Sequence, residues 1–284
     1  MTAALFDRAQ RPFGLCARAA RNILSVPVRR FRGVTCLDEQ DLLAVEEPLQ
    51  IRAGERDLAI TMRTPGNDAE LAMGFLFTEG IVESAEDIAD VRCNGNTAEV
   101  TLAEGIDTDR EGAPRNFYMT SSCGICGKAS IQALEAAGCS VMPPNSPRME
   151  ASMIRSLPAK LRESQAVFNR TGGLHAAGLF SARGNPVLLR EDVGRHNAVD
   201  KLVGRALLDR QLPLHDYVLM VSGRTSFELL QKTARAGIPV LAAVGAPSSL
   251  AVKAALRFGI TLIGFLRDDR FNVYTNPGRI CESR

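Results

Sequence analysis

Tyr217–Val221 reads Y-V-L-M-V, Val240–Val244 reads V-L-A-A-V and Thr261–Leu266 reads T-L-I-G-F-L. Between them lie S-F-E-L-L-Q-K-T-A-R-A at Ser226–Ala236 and S-L-A-V-K-A-A-L-R at Ser249–Arg257. Short apolar runs bounded by turn residues mark strands buried on both faces. Apolar residues three and four apart, with a serine in front, mark helices. Strands and helices in alternation predict a mostly parallel sheet covered on both sides.

Outward from this core, Met149–Gln165 is predicted helical despite Pro158. Leu174–Ser181 and Pro186–Arg190 read as paired strands around Arg183-Gly-Asn185, and a helix runs from Asn197 to Arg210. A last strand, Phe271–Thr275, follows a turn at Asp268-Asp269. The first half has another rhythm. Leu42–Arg52 and Leu58–Met62 are strands joined at Ala53-Gly54, Asp68–Thr78 is a helix, and Ser84-Ala-Glu-Asp opens a short one. Val91–Asn94 and Thr97–Leu102 flank a hairpin turn at Gly95-Asn96, and Glu104–Arg115 is a polar, mobile loop. Gly138–Pro147, rich in Pro, Ser and Asn, is the linker. The fold class is α/β, with an α+β domain at 34–142 and an α/β domain at 143–284. At 284 residues each half is large enough for its own core.

Residues 1–33 carry seven arginines against the single acid Asp7 and are expected to form a basic, flexible arm. The net charge of +2 argues against a nucleic-acid binder. No apolar run is long enough for a bilayer and no secretory signal opens the chain, so no membrane role is expected. Seven scattered cysteines fit a reducing cytoplasm better than a disulfide framework.

The chemistry centres on Tyr118–Ala133, Y-M-T-S-S-C-G-I-C-G-K-A-S-I-Q-A. Cys123 and Cys126 stand before a predicted helix, Lys128–Ala137. Its positive dipole end and Lys128 would favour a reactive thiolate. Four readings arise. Zinc would need more ligands, with Cys139, His175 or His196 as candidates. A zinc deaminase would need a Glu two residues after its His, and Ala177 stands there. A thioredoxin-like dithiol is a third reading. The fourth is sulfur relay, in which a thiolate takes the outer sulfur of a persulfide and hands it on.

In the alternating half, ligands belong at the carboxyl ends of strands. Ser222-Gly223-Arg224-Thr225-Ser226 and Gly245-Ala-Pro-Ser248-Ser249 are strand–turn–helix junctions that could cradle phosphate, with Arg195, Arg224 and Arg267 supplying charge. Ordinary capping by Ser226 and by Ser248 or Ser249 explains the same serines, and the two readings stand together. No G-K-[ST] is present, which disfavours nucleotide hydrolysis. His175 and His196 beside glycines are structural residues or site residues, and Asp192 could pair with His196.

Several long blocks settle which reading to carry forward. M-R-T-P-G-N-D-A-E-L-A-M-G-F-L-F-T-E-G-I from Met62, S-C-G-I-C-G from Ser122 and T-G-G-L-H-A-A from Thr171 come in order. R-E-D-V-G-R-H-N-A-V-D-K-L-V-G from Arg190, S-G-R-T-S-F-E-L-L-Q-K from Ser222 and G-A-P-S-S-L-A-V from Gly245 follow. From about residue 34 to Ile280 the chain resembles the FdhD/NarQ family. The resemblance implies a cytidine-deaminase-like α/β/α sandwich with a smaller α+β N-terminal domain, and a homodimer. It implies a sulfurtransferase required for formate dehydrogenase activity: a cysteine desulfurase gives sulfur to Cys123 as a persulfide, with Cys126 as helper. The acceptor is the molybdenum cofactor, bis(molybdopterin guanine dinucleotide), before it enters the apo-dehydrogenase. Cofactor contact maps onto Phe265, Leu266, Arg267, Asp268, Asp269 and Arg270. The junction residues Ser222, Gly223, Arg224, Thr225, Gly245, Ser248 and Ser249, with His196, would hold its nucleotide arms, and no resident metal is implied. The alternatives are a molybdenum-cofactor chaperone with structural or zinc-binding cysteines and no sulfur transfer, and a dithiol oxidoreductase.

Overall fold

Hydrophobic alternation and tight glycine turns build the first half. The computed structural model describes residues 22–106, 117–119, 139–144 and 147–282. β3 (Glu47–Ala53) turns into β4 (Arg56–Arg63) through Gly54, whose φ of 58° a side chain would disfavour. β5 (Ile88–Asn94) and β6 (Thr97–Leu102) form the expected hairpin. With β7 (Phe117–Met119) they give a five-stranded sheet in the order β5-β6-β3-β4-β7. The helix α1 (Asp68–Thr78) covers it with almost every side chain buried.

The second half is a six-stranded sheet. Its strands are β9 (His175–Ser181), β10 (Pro186–Asp192), β11 (Tyr217–Val221), β12 (Val240–Ala243), β13 (Thr261–Gly264) and β14 (Asn272–Val273), in the order β10-β9-β11-β12-β13-β14. Successive side chains go to opposite faces. Leu179, Leu219, Leu241 and Leu262 meet α4 (Arg195–Leu208), α5 (Phe227–Arg235) and α6 (Ser249–Arg257). Phe180, Met220, Ala242 and Ile263 meet Ile154, Leu157 and Leu161 of α2 (Ala151–Glu163). The layers are therefore helix, sheet, helix. A one-turn helix α3 (Phe168–Thr171) precedes β9.

Three expectations need correction. The sheet is mixed rather than mostly parallel: only β11–β12 and β12–β13 run parallel, while β9 is antiparallel to both neighbours and β14 to β13. Apolar runs report burial but not direction. Residues 23–32 do not belong to a flexible arm. β1 (Ile23–Arg32) pairs with β2 (Thr35–Ala44) in a two-stranded ribbon closed at Gly33, while residues 1–21 lie outside the described part. The ribbon bears Leu24, Phe31, Val34, Leu37 and Leu43, five of the large apolar side chains exposed among the described residues. The halves also do not keep separate cores. Leu49, Ile51, Ala98 and Val100 of the first sheet join Leu179, Leu202 and Leu241 in one buried cluster.

The join is a close crossing of α1 on α4. A Cβ on Gly74 would sit 1.8 Å from the Asp200 carbonyl oxygen, and one on Gly204 would sit 1.8 Å from that of Glu70. Only glycine at both positions lets the two backbones touch. Buried polar groups ring the crossing. Arg190 donates to Glu70 at 2.8 Å, Lys232 reaches Asp200 at 2.9 Å and Thr78 at 2.9 Å, and Lys201 meets Asp192 at 2.7 Å. The expected linker is attached too: Met142 is buried and its N–H donates to Phe258. A short parallel pair of β8 (Met149–Glu150) and β15 (Ile280–Cys281) then takes the start of the predicted helix and ties down the C-terminal end.

Candidate functional site

Three carboxyl-end loops of the second sheet are laced together by their own backbones. Gly245 N–H donates to Gly223 at 2.9 Å, Thr225 N–H to Ala246 at 3.1 Å and Ser248 N–H back to Thr225 at 2.9 Å. Phe265 N–H then donates to Gly245 at 3.1 Å. The approach is close because a Cβ on Gly245 would lie 2.8 Å from Arg224 Cα. So 222–226, 245–249 and 265–270 form one continuous rim, as their placement after β11, β12 and β13 requires.

Two serines on this rim, Ser226 and Ser248, are helix caps. Ser226 Oγ accepts from Leu229 N–H and Ser248 Oγ from Ala251 N–H. Thr225 and Ser248 give their N–H groups to the neighbouring loop, so the junctions present fewer backbone donors than a phosphate cradle would. Three arginines face outward on it: Arg224, Arg267 and Arg270 are exposed. Arg267 Nη1 donates to Val244 at 2.7 Å and Leu266 at 2.8 Å, which fixes the guanidinium in place. Phe265, Arg267, Arg270 and Asn272 border an open groove of about 300 Å³. Phe265 holds φ at 52°, a left-handed conformation rare for an aromatic residue, and is 45% exposed. Asp268 and Asp269 are exposed on the same turn and Leu266 is buried beneath it.

Next to the rim lies a histidine–arginine cluster on the first turn of α4. His196 Nε2 is 3.1 Å from Ser226 Oγ and 3.2 Å from Glu228. The hydrogen bond with His196 pulls Glu228 down to about 2. His175 Nδ1 lies 3.4 Å from Ser222 Oγ, and burial, with Arg195 nearby, lowers its pKa. Arg195 Nε and Thr225 Oγ1 are both buried without a hydrogen-bonding partner. Asp192 does not pair with His196. It is fully buried, accepting from Thr64 N–H, Gly194 N–H and Asn197 Nδ2 and paired with Lys201.

The first half ends on the same spot. Met119, the last residue of β7, pairs with Thr61, and Thr61 Oγ1 donates to Asn197 at 3.1 Å. Asn197 Nδ2 donates to the Met62 carbonyl at 2.7 Å. Cys123, Cys126 and the predicted helix Lys128–Ala137 lie outside the described residues. Cys139 is half-buried and burial pushes its thiol up to about 11, which suits a packing residue. Among the described residues no group of three or more His, Cys, Asp or Glu is placed to hold a metal ion, and no helix is long and apolar enough to cross a membrane.

The FdhD/NarQ family model matches residues 44–281, which covers both sheets and the seam between them. The chain belongs to the FdhD/NarQ family. Among its relatives, the sulfur carrier protein FdhD of Mycolicibacterium paratuberculosis is 52% identical over 250 residues, covering 84% of this chain and 92% of that protein. The protein of the same name from Sulfurisphaera tokodaii is 45% identical and covers 90% and 98% of the two chains. A formate dehydrogenase accessory protein from Desulfotalea psychrophila has the same fold at a TM-score of 0.72. Its crystal structure is 27% identical in sequence, and the match covers 91% of this FdhD/NarQ chain and 99% of that one.

Sequence reasoning found most rim residues but missed Glu228 and Asn272. An acid in a first helical turn reads as a dipole partner, and Asn272 reads as a strand residue. Neither carries a signal that would mark it.

Proposed function

We propose that this protein is a sulfur carrier for formate dehydrogenase maturation, working on a molybdenum cofactor held at the rim. The Cys123 thiolate attacks the outer sulfur of a cysteine desulfurase persulfide. The donor S–S bond breaks, the donor cysteine leaves as thiolate, and Cys123 holds the sulfur as a persulfide until the cofactor takes it. This exchange requires a reducing compartment, the cytoplasm.

The observation that supports this reading best is where β7 ends. Cys123 follows Met119 by four residues, so covalent geometry keeps it within about 14 Å of that Cα. Met119 pairs with Thr61, which is bonded to Asn197 beside His196 and the rim. The cysteine thus follows a first-half strand whose end is tied to α4 through Thr61 and Asn197, and the anion-suited groove belongs to the second half. Exposed Arg224, Arg267 and Arg270 with a presented Phe265 suit a ligand with phosphates and a flat base. The named relatives, sulfur carriers and a formate dehydrogenase accessory protein, point the same way. The homodimer expected from the resemblance would have the exposed apolar ribbon β1–β2 available as its contact.

Incubation with a cysteine desulfurase and cysteine should add one reductant-labile sulfur, read by intact-protein mass spectrometry. Cys123→Ala should lose the adduct and fail to mature formate dehydrogenase. A Cys123→Ala variant that matures the enzyme fully would leave only cofactor binding, the chaperone alternative.

A further inference from the structure

We propose that Arg195, His175 and the notch above Gly223 form an oxyanion subsite for a phosphate-class group, set apart from the groove at Phe265, Arg267 and Arg270. It deepens the cofactor-holding part of the proposed function and rests on that reading for its biological ligand, but not for its chemistry.

Gly223 is what opens the notch. A Cβ there would point at His175, 3.4 Å from Nδ1 and 3.5 Å from Cε1, and at Arg195 Cδ, 3.6 Å away. With glycine that volume is left to the imidazole edge and the arginine stem. Arg195 Nε is buried with no hydrogen-bonding partner, although an unpaired guanidinium N–H in a buried position is costly. An arginine fork in that position matches the geometry of a phosphate oxygen pair. Thr225, 1% exposed on the same loop, also has a hydroxyl without a partner. The N-terminal turn of the 14-residue helix α4 begins at Arg195 and adds its dipole to the same sign. The charged and titratable groups acting on His175 are Arg195, His196 and Asp192. The nearest carboxylates are already engaged: Asp192 with Lys201, and Glu228 with His196. Arg195 also acts on Glu228 across the cluster, so what sets the subsite apart is its unpartnered donors, Arg195 Nε and Thr225 Oγ1, rather than a surplus of charge.

The probe is inorganic pyrophosphate, titrated into the full chain by calorimetry. Saturable binding is expected, weakened about tenfold or more by Arg195→Gln and by Gly223→Ala, the scale of one lost charge-assisted hydrogen bond. Arg267→Gln should leave it nearly unchanged. The added methyl of Gly223→Ala makes only ordinary contacts, so this variant should fold and decides the matter if Arg195→Gln does not. Pyrophosphate should also raise the midpoint of the His175 ring-proton titration by NMR, because the bound anion offsets Arg195. No saturable binding, or binding that both variants leave intact, would overturn the subsite. Persulfide formation on Cys123 is unaffected by either result, so the two proposals fail separately.

Discussion

Replacing Gly74 by alanine tests whether the two halves are one body. The new Cβ would lie 1.8 Å from the Asp200 carbonyl oxygen, about 1.6 Å inside ordinary contact. Neither side can yield locally. The obstacle is helix backbone, and Asp200 O lies on a helix whose carbonyls are engaged along its own ladder. α1 and α4 must part, and with them Thr78 from Asp200 (2.8 Å) and Lys232 from both. One methyl forced into a packed core costs about 1–3 kcal/mol. A rigid obstacle and a loosened buried ion pair put this case at about 3 kcal/mol or more. Gly204→Ala, aimed at the Glu70 carbonyl, should cost a similar amount. The double variant should cost clearly less than the two together, because the first substitution already parts the helices that the second would part. Equilibrium urea unfolding followed by circular dichroism measures all three. A Gly74→Ala loss below about 1 kcal/mol, or full additivity, would refute a shared close crossing.

Three further outcomes follow from the same contacts. Lys232→Met should destabilise by about 3–5 kcal/mol in urea unfolding, since Asp200 is left buried and uncompensated. Lys232→Met with Asp200→Asn should recover part of that loss. Glu228 is held near 2 against its ordinary 4.5, so its contribution is complete above pH 4.5 and fades as pH falls towards 2. Glu228→Gln should therefore differ from the natural protein at pH 5 and converge with it near pH 2, and a constant difference across that range would contradict the contact. Arg267→Gln together with Arg270→Gln should weaken GDP binding by at least about tenfold in calorimetry, with only a small drop in unfolding midpoint from the two backbone carbonyls that Arg267 gives up.

The strands Tyr217–Val221 and Thr261–Gly264 and the helix Asp68–Thr78 are legible in the sequence because burial imposes its period directly. Strand direction is not, and β9 turned out antiparallel to β11. β1 escapes notice because Pro27 and three arginines interrupt its alternation, while its partner β2 supplies Asp38 to Arg29 and Glu39 and Asp41 to Arg30. The shared core hides for another reason. Gly74 and Gly204 look like weak points in two separate helices, and their meaning appears only when the helices meet. At the site, the rim loops come together as the carboxyl-end rule requires, but Ser226 and Ser248 serve the helices first. The unpartnered atoms of Arg195 and Thr225 have no counterpart in the sequence, because lack of a partner is a property of three-dimensional surroundings.

The blocks that mark the family bear more on alignment than on chemistry. Of R-E-D-V-G-R-H-N-A-V-D-K, Arg190, Asp192, Asn197, Asp200 and Lys201 all bind across to the Met62–Glu79 segment or anchor groups that do. Only Arg195 and His196 turn towards the rim. On the proposed function this division has a reason. A sulfur atom held on one half must meet a ligand held on the other, and a hinge would leave their separation to chance. The seam instead fixes the end of β7 to the start of α4 through Thr61 and Asn197. The distance between the end of β7 and the start of α4 is thereby set by the fold. The buried ion pairs at the seam make sliding costly, since displacing either helix strands a charge. Alignment of this kind limits transfer to a ligand seated at the rim. It also gives a reason why the most extensive helix contact among the described residues joins the two halves rather than lying within either.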